Sequence, residues 1–152
     1  MLKKDIVEIL ALGLVVITIV GLPFAIILYD RYHVATHFPK NSQIINLTAS
    51  AEPCVWTRDK IVGFNYWWKK FQFAKEIPIY DDGRPIFFRV KSADVLHSFA
   101  IPLYRIGPFD IKAGEVQAIE LKTNKALRST KYLCWQYCSE CHPDLNGRLV
   151  VK

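Results

Sequence analysis

Lys131-Tyr-Leu-Cys134-Trp-Gln136-Tyr-Cys138-Ser-Glu-Cys141-His142-Pro-Asp-Leu145 is the stretch on which the reading of this 152-residue chain turns. Cys134 and Cys138 stand four residues apart, and His142 follows after another four. A loop with that spacing can turn two thiolates and an imidazole toward one point. The four cysteines sit at 54, 134, 138 and 141, so three of them crowd into one short segment. A disulfide scaffold spreads its cysteines to staple distant loops, whereas a tight cluster followed by His suggests a metal. Soft sulfur donors combined with imidazole select copper over hard cations. A further imidazole must arrive from elsewhere, and His97 in Asp94-Val-Leu-His97-Ser-Phe-Ala-Ile-Pro102 is available.

Outward from this loop the chain reads as short β-type runs. Val55–Trp56, Ile61–Phe73, Ile77–Tyr80, Ile86–Val90, Val116–Leu121, Lys131–Cys134 and Arg148–Val151 are the candidate strands. Turn signals punctuate them at Asp82-Gly83, Gly107-Pro108, Ala113-Gly114, Asn124 and Asn146-Gly147. Many short strands with no room for crossover helices predict an all-β sandwich or barrel. The β domain is expected over residues 54–152, after a connector at 31–53 that is polar around Pro39, Asn41 and Ser42.

Ahead of the connector, Ile6–Tyr29 is a 24-residue apolar run whose single charge is Glu8. As a helix it is about 36 Å long, enough to cross a hydrocarbon core of about 30 Å. Asp5 is a suitable N-cap, and Pro23 is tolerated in a membrane helix at the cost of a kink. The run exceeds the h-region of a signal peptide, and Asp30-Arg31-Tyr32-His33 follows it in place of a small-residue cleavage site. An uncleaved anchor over residues 1–30 is therefore expected. Lys3 and Lys4 favour a cytoplasmic N-terminus, diluted by Arg31 and Lys40.

The chain carries a net charge of +6, but no Lys/Arg run exceeds two residues, which argues against nucleic-acid binding. The charges of Lys3, Lys4, Asp5 and Glu8 cancel, so residues 30–152 keep the whole excess. A strongly basic partner would be repelled, and an apolar docking patch or an acidic donor is expected instead.

The two ligand segments together resemble the CuA domain of cytochrome c oxidase subunit II. There an early D-V-x-H-S/G-F/W segment joins a later C-x-E/Q-x-C-x-x-x-H-x-x-M loop. Cys134, Gln136, Cys138 and His142 fill that loop in register, and Asp94–Phe99 matches the earlier segment. The Gln between the cysteines, the single membrane helix and the small size are closest to the ba3-type haem–copper oxidase branch. The resemblance covers roughly residues 54–152 and implies a cupredoxin-like Greek-key sandwich. It further implies that His97 and His142 each ligate one copper, that Cys134 and Cys138 bridge the pair, and that Gln136 contributes its backbone carbonyl. The chain would then be the non-catalytic electron-transfer subunit of a terminal oxidase in the inner or plasma membrane, its domain on the outer, periplasmic side. Cytochrome c would be the donor. A separate multi-helix subunit I, with haems and CuB, would reduce O₂ to water. A nitric-oxide-reducing relative would accept electrons by the same route.

One departure stands in the loop. Leu145 occupies the position of the family's axial Met, and the only methionine of the chain is Met1. Axial ligation tunes thiolate-bound copper, so an altered potential or a replacement ligand is expected, Cys141 being one candidate.

Other readings of the same residues remain. Cys138-Ser-Glu-Cys141-His142 is also the C-x-x-C-H signature of an attached c-type haem, which would leave a membrane-anchored haem protein and Cys134 idle. A structural zinc would find four sulfur and imidazole donors. A scaffold subunit would need none of them. Cys54 reads first as a small buried apolar residue, and a disulfide with Cys141 is its alternative. His33 and His37 share a helical face and read as interfacial residues. Gly63-Phe-Asn-Tyr66-Trp67-Trp68 resembles the family's aromatic strand near copper, which makes Tyr66 or Trp67 the expected electron-receiving ring.

Overall fold

A computed structural model describes residues 2–52, 54–58, 73–122, 128–140 and 142–152. The chain divides into two units, Met1–Lys40 and Asn41–Lys152. The first is helix α1 (Leu2–His37), with Asp5 in its first turn and Pro23 inside it. Within Asp5–Val34 its most apolar 18-residue window has a mean hydropathy of 2.7, and none of that window is buried within the protein. The helix is thus long and apolar enough to cross a membrane. Apolar side chains such as Leu10, Ile17, Phe24 and Leu28 surround it on every side, and such a helix must bury its surface in something other than this chain.

The second unit is a sandwich of two sheets. Among the described residues its strands are β1 (Gln43–Ala51), β2 (Cys54–Thr57), β3 (Glu76–Ile79), β4 (Ile86–Ser92), β5 (His97–Ile101), β6 (Ile106–Ile111), β7 (Val116–Leu121), β8 (Thr130–Leu133) and β9 (Asn146–Val151). One sheet has the order β2-β1-β4-β7 and the other β3-β9-β8-β5-β6. The chain passes between the sheets after β2, β3, β4, β6 and β7, giving the crossed connections of the cupredoxin-like sandwich. β1 pairs with β4 in parallel, setting Ile45 beside Phe88 and Leu47 beside Val90.

Alternation explains the layering. Ile86, Phe88, Val90 and Ser92 of β4 are buried while the residues between them are only half-buried, so one face of the strand looks into the core. Rings from both sheets meet there, with Trp56, Phe88, Phe99 and Tyr132 at centroid separations of 5.5–6.0 Å in tilted or edge-on contacts. Such contacts add to area burial. The buried Tyr132 hydroxyl donates to the Ala74 carbonyl, which satisfies its polar tip. Gly107 sits at φ +77 and its α-carbon approaches the Phe99 carbonyl so closely that no side chain would fit.

Three features depart from the sequence-based expectation. The connector expected at 31–53 is largely regular structure: α1 continues to His37, and Gln43–Ala51 forms a strand at the centre of its sheet. Ile45, Leu47, Ala49 and Ala51 alternate along it with Asn46, Thr48 and Ser50, the period-two pattern of a strand. β5 and β6 also went unpredicted. β5 is buried along its whole length and so shows no alternation, and β6 carries Gly107 and Pro108. The run Ile61–Phe73 lies outside the described residues except for Phe73, which bridges to Thr57.

Candidate metal centre

β8 and β9 are antiparallel neighbours, and the segment between them is the cysteine loop. Its two ends are tied where the Cys134 amide donates to the Leu145 carbonyl at 3.0 Å. The indole Nε1 of Trp56 donates to the same carbonyl at 3.0 Å, fastening the loop base to the opposite sheet. A short 3-10 turn at His142–Asp144 presents the histidine just before β9 begins. β8 itself pairs with β5 through Leu133 and Ala100, so the start of β5 lies beside the loop.

This arrangement brings the expected donors together. His97 Nδ1 stands 3.9 Å from Cys134 Sγ. The two sulfurs are 3.8 Å apart, and His142 Nδ1 is 3.6 Å from Cys138 Sγ. The Gln136 carbonyl oxygen approaches Cys134 Sγ to 3.3 Å. Donor atoms of His97, Cys134 and Cys138 all lie within 4.8 Å of one another. His142 extends the series from Cys138 and does not join that group of three, so the imidazoles occupy opposite ends of the sulfur pair. Such a row of sulfur and imidazole donors suits copper. His97 is fully buried and His142 only half-buried, so the two ends face different surroundings.

Neighbouring groups prepare these donors. Asp94 Oδ1 lies 2.9 Å from His97 Nε2, which assigns that nitrogen the proton and leaves Nδ1 free to face the sulfurs. The other carboxylate oxygen accepts from Ser50 Oγ at 3.0 Å and from the Ala51 amide at 2.6 Å, anchoring Asp94 to the end of β1. Burial alone would raise the Asp94 carboxyl, but His97 and the hydrogen bonds to Val95, Ala51 and Ser50 hold it below its ordinary range. Burial would likewise pull the His97 imidazolium down, yet Cys134 and Asp94 outweigh it and leave it raised.

The sulfurs are unequal. Burial would raise the Cys134 thiol, but His97 and the Ser98 amide, whose N lies 3.3 Å from the sulfur, bring it down to about 6. Cys138 is pushed up to about 11 by burial and by the neighbouring charge of Cys134. Both are free thiols, whereas Cys54 is disulfide-bonded. Cys54 is therefore not the small buried apolar residue first expected. It opens β2 half-buried, with Ser139 Oγ of the cysteine loop 2.9 Å from its sulfur. Cys141, the candidate disulfide partner and replacement ligand, lies outside the described residues.

Leu145 is 1% exposed and fills the core below the loop, so the position expected to lack a thioether is occupied by packed hydrocarbon. Tyr66 and Trp67, the expected electron-receiving rings, lie outside the described residues. Two other rings, not singled out in the sequence, stand on the loop itself: Trp135 is 60% exposed and Tyr137 73%. Their positions between and beside the cysteines were the available signal. Asp94 was equally readable as a carboxylate three residues before a histidine donor. His33 and His37 stack face to face with centroids 4.0 Å apart on α1.

No family model and no curated protein matches the sequence. Solved structures do. The periplasmic domain of subunit II of cytochrome oxidase (CoxB) of Bradyrhizobium japonicum aligns at a TM-score of 0.50 and 18% identity, over 75% of this chain and 86% of that one. A chain of a haem–copper terminal oxidase dimer aligns at 0.50 and 19%, over 96% and 99%. The sandwich that carries the cysteine loop is thus the cupredoxin-like fold found in the periplasmic domain of a cytochrome oxidase subunit II.

Proposed function

We propose that this chain is the electron-input subunit of a haem–copper terminal oxidase, with a dinuclear CuA centre held by His97, Cys134, Cys138, His142 and the Gln136 carbonyl. The observation that carries this reading is the row His97, Cys134, Cys138, His142, in which two free thiols are flanked by an imidazole at each end. When bound, the copper pair takes up and passes on one electron at a time. The protein's part is to hold it still. The Asp94 carboxylate keeps the His97 tautomer, the Ser98 amide stabilises the Cys134 thiolate, and the Trp56 bond to Leu145 fixes the loop base. Little then has to reorganise when the charge changes.

Cytochrome c is the proposed donor, with Tyr66 or Trp67 as the receiving ring. A separate subunit I with haems and CuB is the proposed acceptor and the site of O₂ reduction, since this chain has only four histidines. The proposed location is the inner or plasma membrane, crossed once, with the sandwich on the periplasmic side; the long apolar helix α1 supports it. We further propose that Cys141 closes the disulfide of Cys54. Support comes from the count: of four cysteines, Cys134 and Cys138 are free. Cys141 would then be spent on that bond, serving neither as a replacement ligand nor in a c-type haem.

Copper content, visible and near-infrared absorption and EPR of the full chain in detergent test the reading. Two coppers per chain and a mixed-valence signal split by two equivalent nuclei are expected. A Soret band that survives acid–acetone extraction would replace the reading with an attached haem, and zinc in place of copper would replace it with a structural site.

A further inference from the structure

We propose that the buried Ser98 hydroxyl is a positioning group for the copper loop, holding the Gln136 carbonyl toward the Cys134 sulfur; this rests on the dinuclear copper reading. Ser98 follows His97 on β5 and is fully buried. Its Oγ accepts from two consecutive loop amides, Trp135 N and Gln136 N, each at 2.7 Å. Two successive N–H groups aimed at one oxygen form a concave nest, and here both lone pairs of the hydroxyl are engaged. The hydroxyl proton is left for the nearby Cys134 Sγ, 3.8 Å away, while the Ser98 amide donates to the same sulfur at 3.3 Å. One residue of a rigid strand therefore grips the loop backbone and solvates its thiolate at once.

The consequence falls on Gln136. With its own amide and that of Trp135 pinned, the peptide groups around it cannot rotate freely. Its carbonyl oxygen is held 3.3 Å from Cys134 Sγ. Because Leu145 offers no donor atom, this carbonyl is the weak ligand left to the site, and its aim depends on a hydroxyl that never touches copper. The side chains of Trp135 and Gln136 are exposed. Water can thus take over their amides when the hydroxyl is gone, and the loss stays local.

The test compares S98A and S98T with the unaltered full chain in detergent. S98A is expected to load two coppers, to show a displaced near-infrared band, and to release copper to a chelator roughly tenfold faster, the lower end of the usual effect of losing a supporting hydrogen bond. S98T keeps the oxygen and is expected to restore both readouts. In the metal-free chain the Trp135 and Gln136 amides should exchange hydrogen faster in S98A alone, which decides the matter even if that variant loads poorly. An unchanged band and release rate in S98A, or unchanged amide exchange, would overturn the role of Ser98. Failure of the unaltered chain to bind a copper pair would instead remove the copper reading itself.

Discussion

Asp94 and His97 are locked together at 2.9 Å, carboxylate oxygen to Nε2, across a single turn that ends where β5 begins. The bond is one of several to a carboxylate that also holds the end of β1, so the histidine is oriented by the framework before any ion arrives. Replacing the carboxylate by an amide (D94N) keeps the shape and removes the charge. Copper affinity is expected to fall about 10–100-fold, measured by competition with a chelator, with the apo fold retained by circular dichroism. Wild-type affinity in D94N would show that the carboxylate does not orient His97.

Leu145 separates packing from ligation. L145A should cost about 2–5 kcal/mol in denaturant unfolding, as a fully buried Leu truncated in place. L145M conserves volume and should cost less than about 1.5 kcal/mol. By adding a thioether beside the loop it should also lower the copper reduction potential, because an added donor favours the oxidised ions. A voltammogram of L145M that overlays that of the unaltered chain would mean the side chain does not face the metal.

The paired thiols predict how loading responds to pH. With Cys134 near 6 and Cys138 near 11, one proton is already off at about pH 8 and the other is still on. Copper loading should therefore release about one proton at that pH and more at pH 5, where both thiols and the raised His97 imidazolium must give theirs up. Affinity should weaken as pH falls through 6. Proton release recorded in weakly buffered copper titrations checks the count, and a value independent of pH would contradict it.

Tyr132 and Gly147 form a tight pair in the core. A Cβ at Gly147 would land on the Tyr132 hydroxyl, so G147A should be strongly destabilising. Y132F leaves the Ala74 carbonyl without its donor and should cost about 1–3 kcal/mol. Y132F does not open the site, because the ring carbon that carried the hydroxyl and the Ala74 carbonyl oxygen still crowd that Cβ, so G147A should stay strongly destabilising in the Y132F background. A G147A chain as stable as the unaltered one in urea unfolding would exclude the contact.

Trp135 and Tyr137 present apolar rings beside the sulfurs on a chain of net charge +6. Reduction by a basic cytochrome c should hold its rate or quicken as salt screens the repulsion. W135A should slow it without moving the copper spectrum. Stopped-flow rates that collapse with added salt for a basic donor would reject an apolar docking surface.

The candidate metal ligands were more legible than the framework that carries them. Cys134, Cys138 and His142 announce themselves because their chemistry is concentrated in a short spacing, and His97 stands in a second recognisable segment. β1 does alternate, Ile45, Leu47, Ala49 and Ala51 against Asn46, Thr48 and Ser50, but its polar half and its place just after Pro39, Asn41 and Ser42 gave it the look of a connector. β5 was hidden for the opposite reason, being buried at every position. Ser98 could not be found from spacing at all. Its role exists only because the pairing of β5 with β8 brings a strand residue against a loop some forty positions later.

The bond from the Cys134 amide to the Leu145 carbonyl closes the cysteine loop at its base, and the strands on either side pair without any help from the sulfurs. Ordering the ends of the loop is thus completed by folding, and an incoming ion has only the interior left to arrange. That separates this protein from small domains whose folding waits on their metal. The polypeptide can reach its final shape first and be metallated afterwards, which would let delivery of the proposed copper be a late and local step.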